Sequence, residues 1–461
     1  MLFWSFIVAL DKIIQHKKYL VQHNQERLLS YKNNVTKSDR SLLNALHNNH
    51  TAFICEIKLG SPSLGIINKD IDVVSVAKVY EPFASAISVL ADEKFFLGSM
   101  SNVQKVRKSV KCPVLCKDII VDPLQVYEAR YHKADAILLM LSVLSDQEYL
   151  VCQKIAQELD LDIITEVHTK EEMLRANNLQ ASIIGINNRD LKTLKIDLTT
   201  TINLSKLAHK NSVVISESGY KNHQQIKIYK HLVDGFLIGT SLMSAKRIDL
   251  ALREMIFGKI KICGLKTPQE AIISYEAGAY YGGLNFIKQS RRYISKEQAL
   301  NIIDSAPLMY GGVFADHTQA EICELVKSLN LSFVQLHGNE SQSYIAQLRE
   351  KLPKSCEIWQ CIKVKDHINW PKNLIADCIV LDTFNENMLG GSGLAFNWSL
   401  LNKLENSHKF VLAGGIKENN IKEAQTTNAI VLDIASGAED DLGNKDSYKL
   451  KNIFNTLKEK K

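Results

Sequence analysis

The chain has no C-x-x-C pair, no Lys/Arg block interleaved with aromatic residues, and no Pro/Ser-rich stretch between its halves. Without paired spacing or a histidine at metal distance, the nine cysteines (Cys55, Cys112, Cys116, Cys152, Cys263, Cys323, Cys356, Cys361 and Cys378) read as reduced thiols of a cytosolic protein, mostly inside apolar runs. The missing basic block sets nucleic acid aside. A formal charge of +6 spread over 461 residues suits attraction of anionic small molecules instead. The missing linker implies two halves that adjoin almost directly. The opening MLFWSFIVAL lacks a preceding basic region and a small-residue cleavage site, and it meets Asp11 and Lys12 after ten residues. It is therefore read as the start of an amphipathic helix continuing through Ile13, Ile14 and Leu20 rather than as an export signal, and no membrane partner is expected.

What is present is an alternation. A composition of 46% hydrophobic and 23% charged residues is that of a globular protein, and the length suits two domains. Short apolar runs bounded by turn residues occur at 52–58, 86–90, 113–116, 136–141, 162–167, 182–187, 213–215 and 235–238, with helix-length segments between them. From Lys259 the count restarts, at 261–264, 283–286, 310–314, 332–335, 357–359, 378–382, 410–413 and 430–433. Strands alternating with helices make right-handed β-α-β units, and eight such units close a barrel. The expected fold is α/β: two consecutive (β/α)8 TIM barrels, residues 1–257 and 258–461. In each half the last two strands run into small-residue clusters, Ser218-Gly219 and Gly239-Thr240, then Gly414-Gly415 and Ser436-Gly437. Such turns expose backbone N–H groups to a phosphate.

Charged and polar residues at strand ends need a reason to be buried. In the first half these are Glu56 and Lys58, two apart and so on one face of a strand, then Lys117, Glu166, Asn187, Arg189 and Glu217. Carboxylates set against lysines form an acid/base group in which each member shifts its neighbour's proton affinity. Glu-x-Lys-x-x-Ser-Pro-Ser from Glu56, Leu-Cys-Lys-Asp from Leu115, Thr-Glu-Val from Thr165, Gly-Ile-Asn-Asn-Arg-Asp-Leu from Gly185, Ser-Glu-Ser-Gly from Ser216 and Leu-Ile-Gly-Thr-Ser-Leu from Leu237 together resemble indole-3-glycerol phosphate synthase, over residues 1 to about 257. The resemblance implies Lys117 and Lys58 as acids, Glu166 and Glu56 as general base or cation stabiliser, and Asn187, Glu217 and Ser218 as substrate-positioning groups. Ser61, Arg189, Gly219, Gly239 and Thr240 suit the phosphate.

The second half has a thiol, Cys263, at the end of its first strand, followed by glycine and close to a lysine, and a carboxylate, Asp382, at the end of its sixth. A thiol and a carboxylate facing one substrate can move a proton between adjacent carbons and so convert an aldose amine into a ketose amine. Lys-Ile-Cys-Gly-Leu from Lys261, Gln-Leu-His-Gly-Asn-Glu from Gln335, Gly-Gly-Ser-Gly from Gly390, Leu-Ala-Gly-Gly from Leu412 and Leu-Asp-x-x-Ser-Gly-x-Glu from Leu432 resemble phosphoribosylanthranilate isomerase. Implied roles are Cys263 as base, Asp382 as acid, Arg292 as anchor for the anthranilate carboxylate, and Gly391, Ser392, Gly393, Gly414, Gly415, Ser436 and Gly437 as phosphate contacts. His337 either lines the pocket or is a structural histidine with a locked tautomer, and Asp433 either binds substrate or braces the site. Ser290-Arg291-Arg292 stands where relatives read Ser-Pro-Arg, which removes a preset backbone angle from the loop.

The combined expectation is a bifunctional enzyme of tryptophan biosynthesis, monomeric and cytoplasmic, acting on phosphosugar-anthranilate substrates without metal or cofactor. Two other readings are open: one active barrel with the other as scaffold, and a noncatalytic phosphosugar sensor.

Overall fold

The computed structural model describes residues 8–47, 50–68, 70–191, 193–371, 373–383, 395–405 and 408–460. The chain divides into two compact units, Met1–Met255 with Glu459–Lys461, and Ile256–Lys458. Each holds one closed, eight-stranded, all-parallel barrel. In the first the strands are Ala52–Ile57, Ala86–Leu90, Val114–Lys117, Ala136–Met140, Asp162–Val167, Ile183–Asn187, Val213–Glu217 and Gly235–Ile238. Closure is made by Ala52 pairing with Gly235. In the second they are Lys259–Cys263, Tyr281–Asn285, Met309–Phe314, Phe333–Leu336, Glu357–Val364, Cys378–Thr383, Phe410–Leu412 and Val431–Ile434. Lys259 pairs with Val431 to close it.

Helices between the strands start at side chains that satisfy the free N–H groups of a first turn. Asp72 accepts from Val74 and Ser75, and Ser145/Glu148, Ser295/Gln298 and Thr318/Glu321 form reciprocal capping boxes. The first barrel's interior is aliphatic, packing Ala52, Ile54, Leu115, Leu138, Ile164, Ile183 and Ile215 in one cluster. The second is floored by aromatic rings: Phe333 and Trp359 stack with centroids 3.8 Å apart, and Tyr281 meets both edge-on at 5.4 Å. Among the described residues no helix is long and apolar enough to cross a membrane.

Three features differ from the sequence reading. Gly60–Ser61 and Gly65–Ile66 form a small antiparallel hairpin above the first strand, too short for a periodic signal. The fifth strand of the second barrel runs eight residues, Glu357–Val364, continuing past the polar Gln360 that ends the apolar run and pairing through Val364 with the sixth strand. The polar stretch after residue 31 contains the short helix Leu42–Leu46, whose Leu42 and Leu46 are buried with the barrel interior. The leading helix spans Val8–His23, and residues 1–7 of the opening apolar segment lie outside the described residues.

Candidate active sites

The two-residue period of a strand decides what reaches each rim. In the first barrel Ala52 and Ile54 fill the interior, so Glu56 and then Lys58 emerge above them. The same step carries Leu115 to Lys117, Ile164 to Glu166 and Ile215 to Glu217. All four carboxylate- and lysine-bearing strands thus aim into one cavity of about 440 Å³, which Ser61, Asn187, Arg189, Ser218, Gly219, Gly239 and Thr240 also line. Leu10 and Ile13 of the leading helix form part of its wall. That helix is held by Lys17, buried between Asp92 at 3.0 Å and Asp118 at 2.6 Å.

Lys58 Nζ sits 2.8 Å from Glu56 Oε1, while Lys117 Nζ sits 2.6 Å from Glu217 Oε2 and 3.6 Å from Glu166 Oε2. Burial disfavours an ammonium, but for Lys117 the carboxylates of Glu217, Glu166 and Glu56 outweigh it and hold the proton on above the usual lysine range. Burial likewise works against an ionised Glu166. Lys117, His168 and Asn187 overrule it and hold that carboxyl below its ordinary value. Glu217 goes the other way, raised to about 7 by burial and by the charges of Glu166 and Glu56 against the pull of Lys117. Its second oxygen, Oε1, is buried with no hydrogen-bond partner in the protein.

Gly239 is required by proximity. A Cβ there would overlap Glu56 Oε1, so the absent side chain leaves room for an interior carboxylate as well as opening the backbone. Ser218 and Gly219 both have positive φ, 66° and 100°, and turn the chain out of the seventh strand at the rim. One group was not singled out from the sequence: His168, two residues past Glu166. Its Nε2 lies 3.3 Å from Glu166 Oε1 and its Nδ1 lies 3.3 Å from Glu172 Oε2. Burial opposes its charge, yet the two carboxylates raise it to about 10. The Glu-x-His-x-x-x-Glu spacing was the available signal.

In the second barrel Cys263, Arg292, His337, Asp382, Gly414, Gly415, Asp433 and Ser436 line a cavity of about 60 Å³. Gly391, Ser392 and Gly393 lie outside the described residues. Gly437, beside the lining residue Ser436, approaches the chain so closely that a Cβ there would overlap the Ile416 carbonyl. Gly414 abuts Asp382 as Gly239 abuts Glu56, with φ 81° and no space for a side chain. Burial raises the Cys263 thiol against the pull of Lys261, whose Nζ is 3.3 Å from the sulfur. Burial, with Asp433 adding to it, lifts Asp382 to about 6.

Arg292 faces the cavity with part of its guanidinium already engaged: Nε and Nη2 donate to the two oxygens of Glu439 at 2.6 and 2.8 Å. Arg291 Nη2 reaches the same carboxylate at 2.9 Å, and Ser290 Oγ accepts from the Arg292 backbone N–H and from Asn285 Nδ2. The loop expected to be loosened by loss of proline is thus tied down by side-chain bonds. Glu439 and Gln335 were not assigned roles from the sequence, although both stand inside motifs quoted there. His337, Cys361 and Asp382 bring ligand-type atoms within 4.8 Å of one another, but the positive charges of Lys363 and Lys261 act on the same place and oppose a cation there.

Two parallel barrels, each directing ionisable groups into a cavity at the carboxyl ends of its strands, define a pair of TIM-barrel enzymes on one chain. Residues 10–255 match the family model of indole-3-glycerol phosphate synthase and residues 260–456 that of N-(5'phosphoribosyl)anthranilate (PRA) isomerase. The chain belongs to the family of bifunctional tryptophan-biosynthesis enzymes that carry these two activities in tandem. Similar relatives are the tryptophan biosynthesis proteins TrpCF of Vibrio cholerae, 41% identical over 98% of this chain and 96% of that one, and of Buchnera aphidicola subsp. Schlechtendalia chinensis, 43% identical over 98% of each. A solved phosphoribosyl anthranilate isomerase from Thermus thermophilus is 28% identical over 43% of this chain and 98% of its own, with a TM-score of 0.39.

Proposed function

We propose that residues 258–461 isomerise N-(5-phosphoribosyl)anthranilate to 1-(2-carboxyphenylamino)-1-deoxyribulose 5-phosphate, and that residues 1–257 cyclise that product to indole-3-glycerol phosphate. In the isomerase, Asp382 gives a proton to the ring oxygen as the C1–O bond breaks and the aniline nitrogen forms the C=N bond. Cys263 then removes the C2 proton, and the resulting enol becomes the ketone. Asp382 raised to about 6 suits an acid that must hold its proton, and Arg292 orients the anthranilate carboxylate with the donors that Glu439 leaves free.

In the synthase, the Lys117 ammonium polarises the ketone that the aromatic carbon attacks. Carbon dioxide then leaves, and the new hydroxyl departs as water after protonation by Lys117 or Lys58, while the ionised Glu166 stabilises the cation and takes the last proton. Asn187, Glu217 and Ser218 hold the substrate. His168 acts as a positioning residue, its charge fixed between Glu166 and Glu172. Ser61, Arg189, Gly219, Gly239 and Thr240 hold one phosphate, and Gly391, Ser392, Gly393, Gly414, Gly415, Ser436 and Gly437 the other.

The observation that carries this reading is the meeting of Lys117, Glu166 and Glu217 within ion-pair distance in one cavity, with a separate thiol and carboxylate lining the second. Each cavity is lined by a single unit, which supports action as a monomer, and the nine free thiols support a reducing cytoplasm. Supplying the full chain with phosphoribosylanthranilate while following anthranilate-derived fluorescence and indole-glycerol absorbance tests the pair of reactions. Loss of the fluorescence without indole-glycerol product would leave the first barrel a scaffold. Sedimentation of the same sample tests the monomer.

A further inference from the structure

Beneath the isomerase cavity lies a cation, Lys261, that contacts the lining residues Cys263, Gln335 and Asp433 without lining the cavity itself. Lys261, fully buried, spends all three ammonium hydrogens on protein acceptors: Asp433 Oδ2 at 2.6 Å, Gln335 Oε1 at 2.8 Å and Cys263 Sγ at 3.3 Å. An ammonium has no lone pair, so the oxygen of the Gln335 amide must face it and the NH2 must face away. That NH2 lies 3.5 Å from His337 Nδ1. A donor opposite Nδ1 requires Nδ1 to be the unprotonated nitrogen, and a neutral imidazole then carries its hydrogen on Nε2. His337 is neutral here, since burial and the Lys363 and Lys261 charges depress it to about 4. Its Nε2 is 3.5 Å from Asp382 Oδ2, a separation that ligand binding can shorten.

We infer that Lys261 is a positioning residue of the isomerase: through the fixed Gln335 amide it locks His337 as the Nε2–H tautomer, whose N–H steadies the Asp382 carboxylate left after proton transfer. The inference rests on the assignment of Asp382 as the acid. It resolves the two roles open for His337 in favour of both, since the histidine lines the pocket and its tautomer is locked.

The full-length chain labelled with 15N-histidine reads the tautomer directly in long-range proton–nitrogen spectra, with His337→Gln identifying the resonance. The wild type is expected in the Nε2–H form. Gln335→Glu sets an acceptor against Nδ1 and is expected to move the proton there or to give the imidazolium. Isomerase kcat should then fall about tenfold, the lower end of an acid/base contribution, with KM within about twofold of wild type and the synthase unchanged as a check on folding. Wild-type His337 in the Nδ1–H form overturns the proposal and leaves the Asp382 assignment standing; so does a Gln335→Glu chain with unaltered tautomer and kcat. Full isomerase turnover by Asp382→Asn overturns the assignment beneath it, whatever the tautomer.

Discussion

In each barrel a lysine stands against interior carboxylates, Lys117 in the first and Lys261 in the second, but at different depths. Lys117 ends its strand at the rim, with 15% of its side chain exposed to the cavity. Lys261 sits two residues before the end of its strand, with none exposed. Both leave a buried carboxylate oxygen unmatched by any protein donor, Glu217 Oε1 and Asp433 Oδ1. The lysine at the rim has a face open to substrate and can donate a proton to it. The lysine one layer lower has all its donors filled and can act only through Gln335, Cys263 and Asp433. One two-residue step along a strand therefore separates a lysine that reaches the cavity from one enclosed beneath it.

Replacing Lys117 by Met should break the comparison most sharply. Synthase turnover should fall by about 10²–10⁴-fold, the usual weight of a positioned acid, with isomerase turnover unchanged in the same sample. Cys263→Ala should do the converse, with a loss of similar size in the isomerase alone. If either substitution silences both reactions in a folded chain, the two sites are not independent. The pH profile sharpens the contrast. With Asp382 as the proposed acid, isomerase kcat/KM should decline as pH rises through about 6, and that limb should vanish in Asp382→Asn.

His168→Gln comes next, with an expected loss of roughly tenfold in synthase kcat and little change in KM. The same variant tests linkage. His168 is raised to about 10 in the folded chain from about 6.5 unfolded, so its contribution to stability is fully present below the unfolded value and is lost as pH climbs through the folded one. The melting temperature of the variant should consequently decline less than that of the wild type between those limits. Arg291→Ala should matter least. Its side chain is 60% exposed and Glu439 retains Arg292 and Lys445, so isomerase rates should stay within about twofold, as for other exposed ion pairs.

Barrel closure was legible because apolar runs and turn residues recur sixteen times at helix-length intervals. The hairpin at 60–66 and the long fifth strand of the second barrel were not, since two-residue strands and mixed polar runs carry no period. The rim residues were legible for a similar reason, as charged groups at the ends of apolar strands. His168, Gln335 and Glu439 were visible in the motifs but mute. Nothing local says that His168 bridges two carboxylates, that Gln335 points its oxygen at a lysine 74 positions away, or that Glu439 grips an arginine 147 positions away.

By itself the sequence determined the strand period, and therefore which side chains rise to each rim; this follows from alternation along one strand and needs no knowledge of its neighbours. The closed barrels alone decided which groups meet and in which protonation state. Proton affinity depends on burial and on charges a few ångströms away, and those distances are set by strands brought side by side from remote parts of the chain.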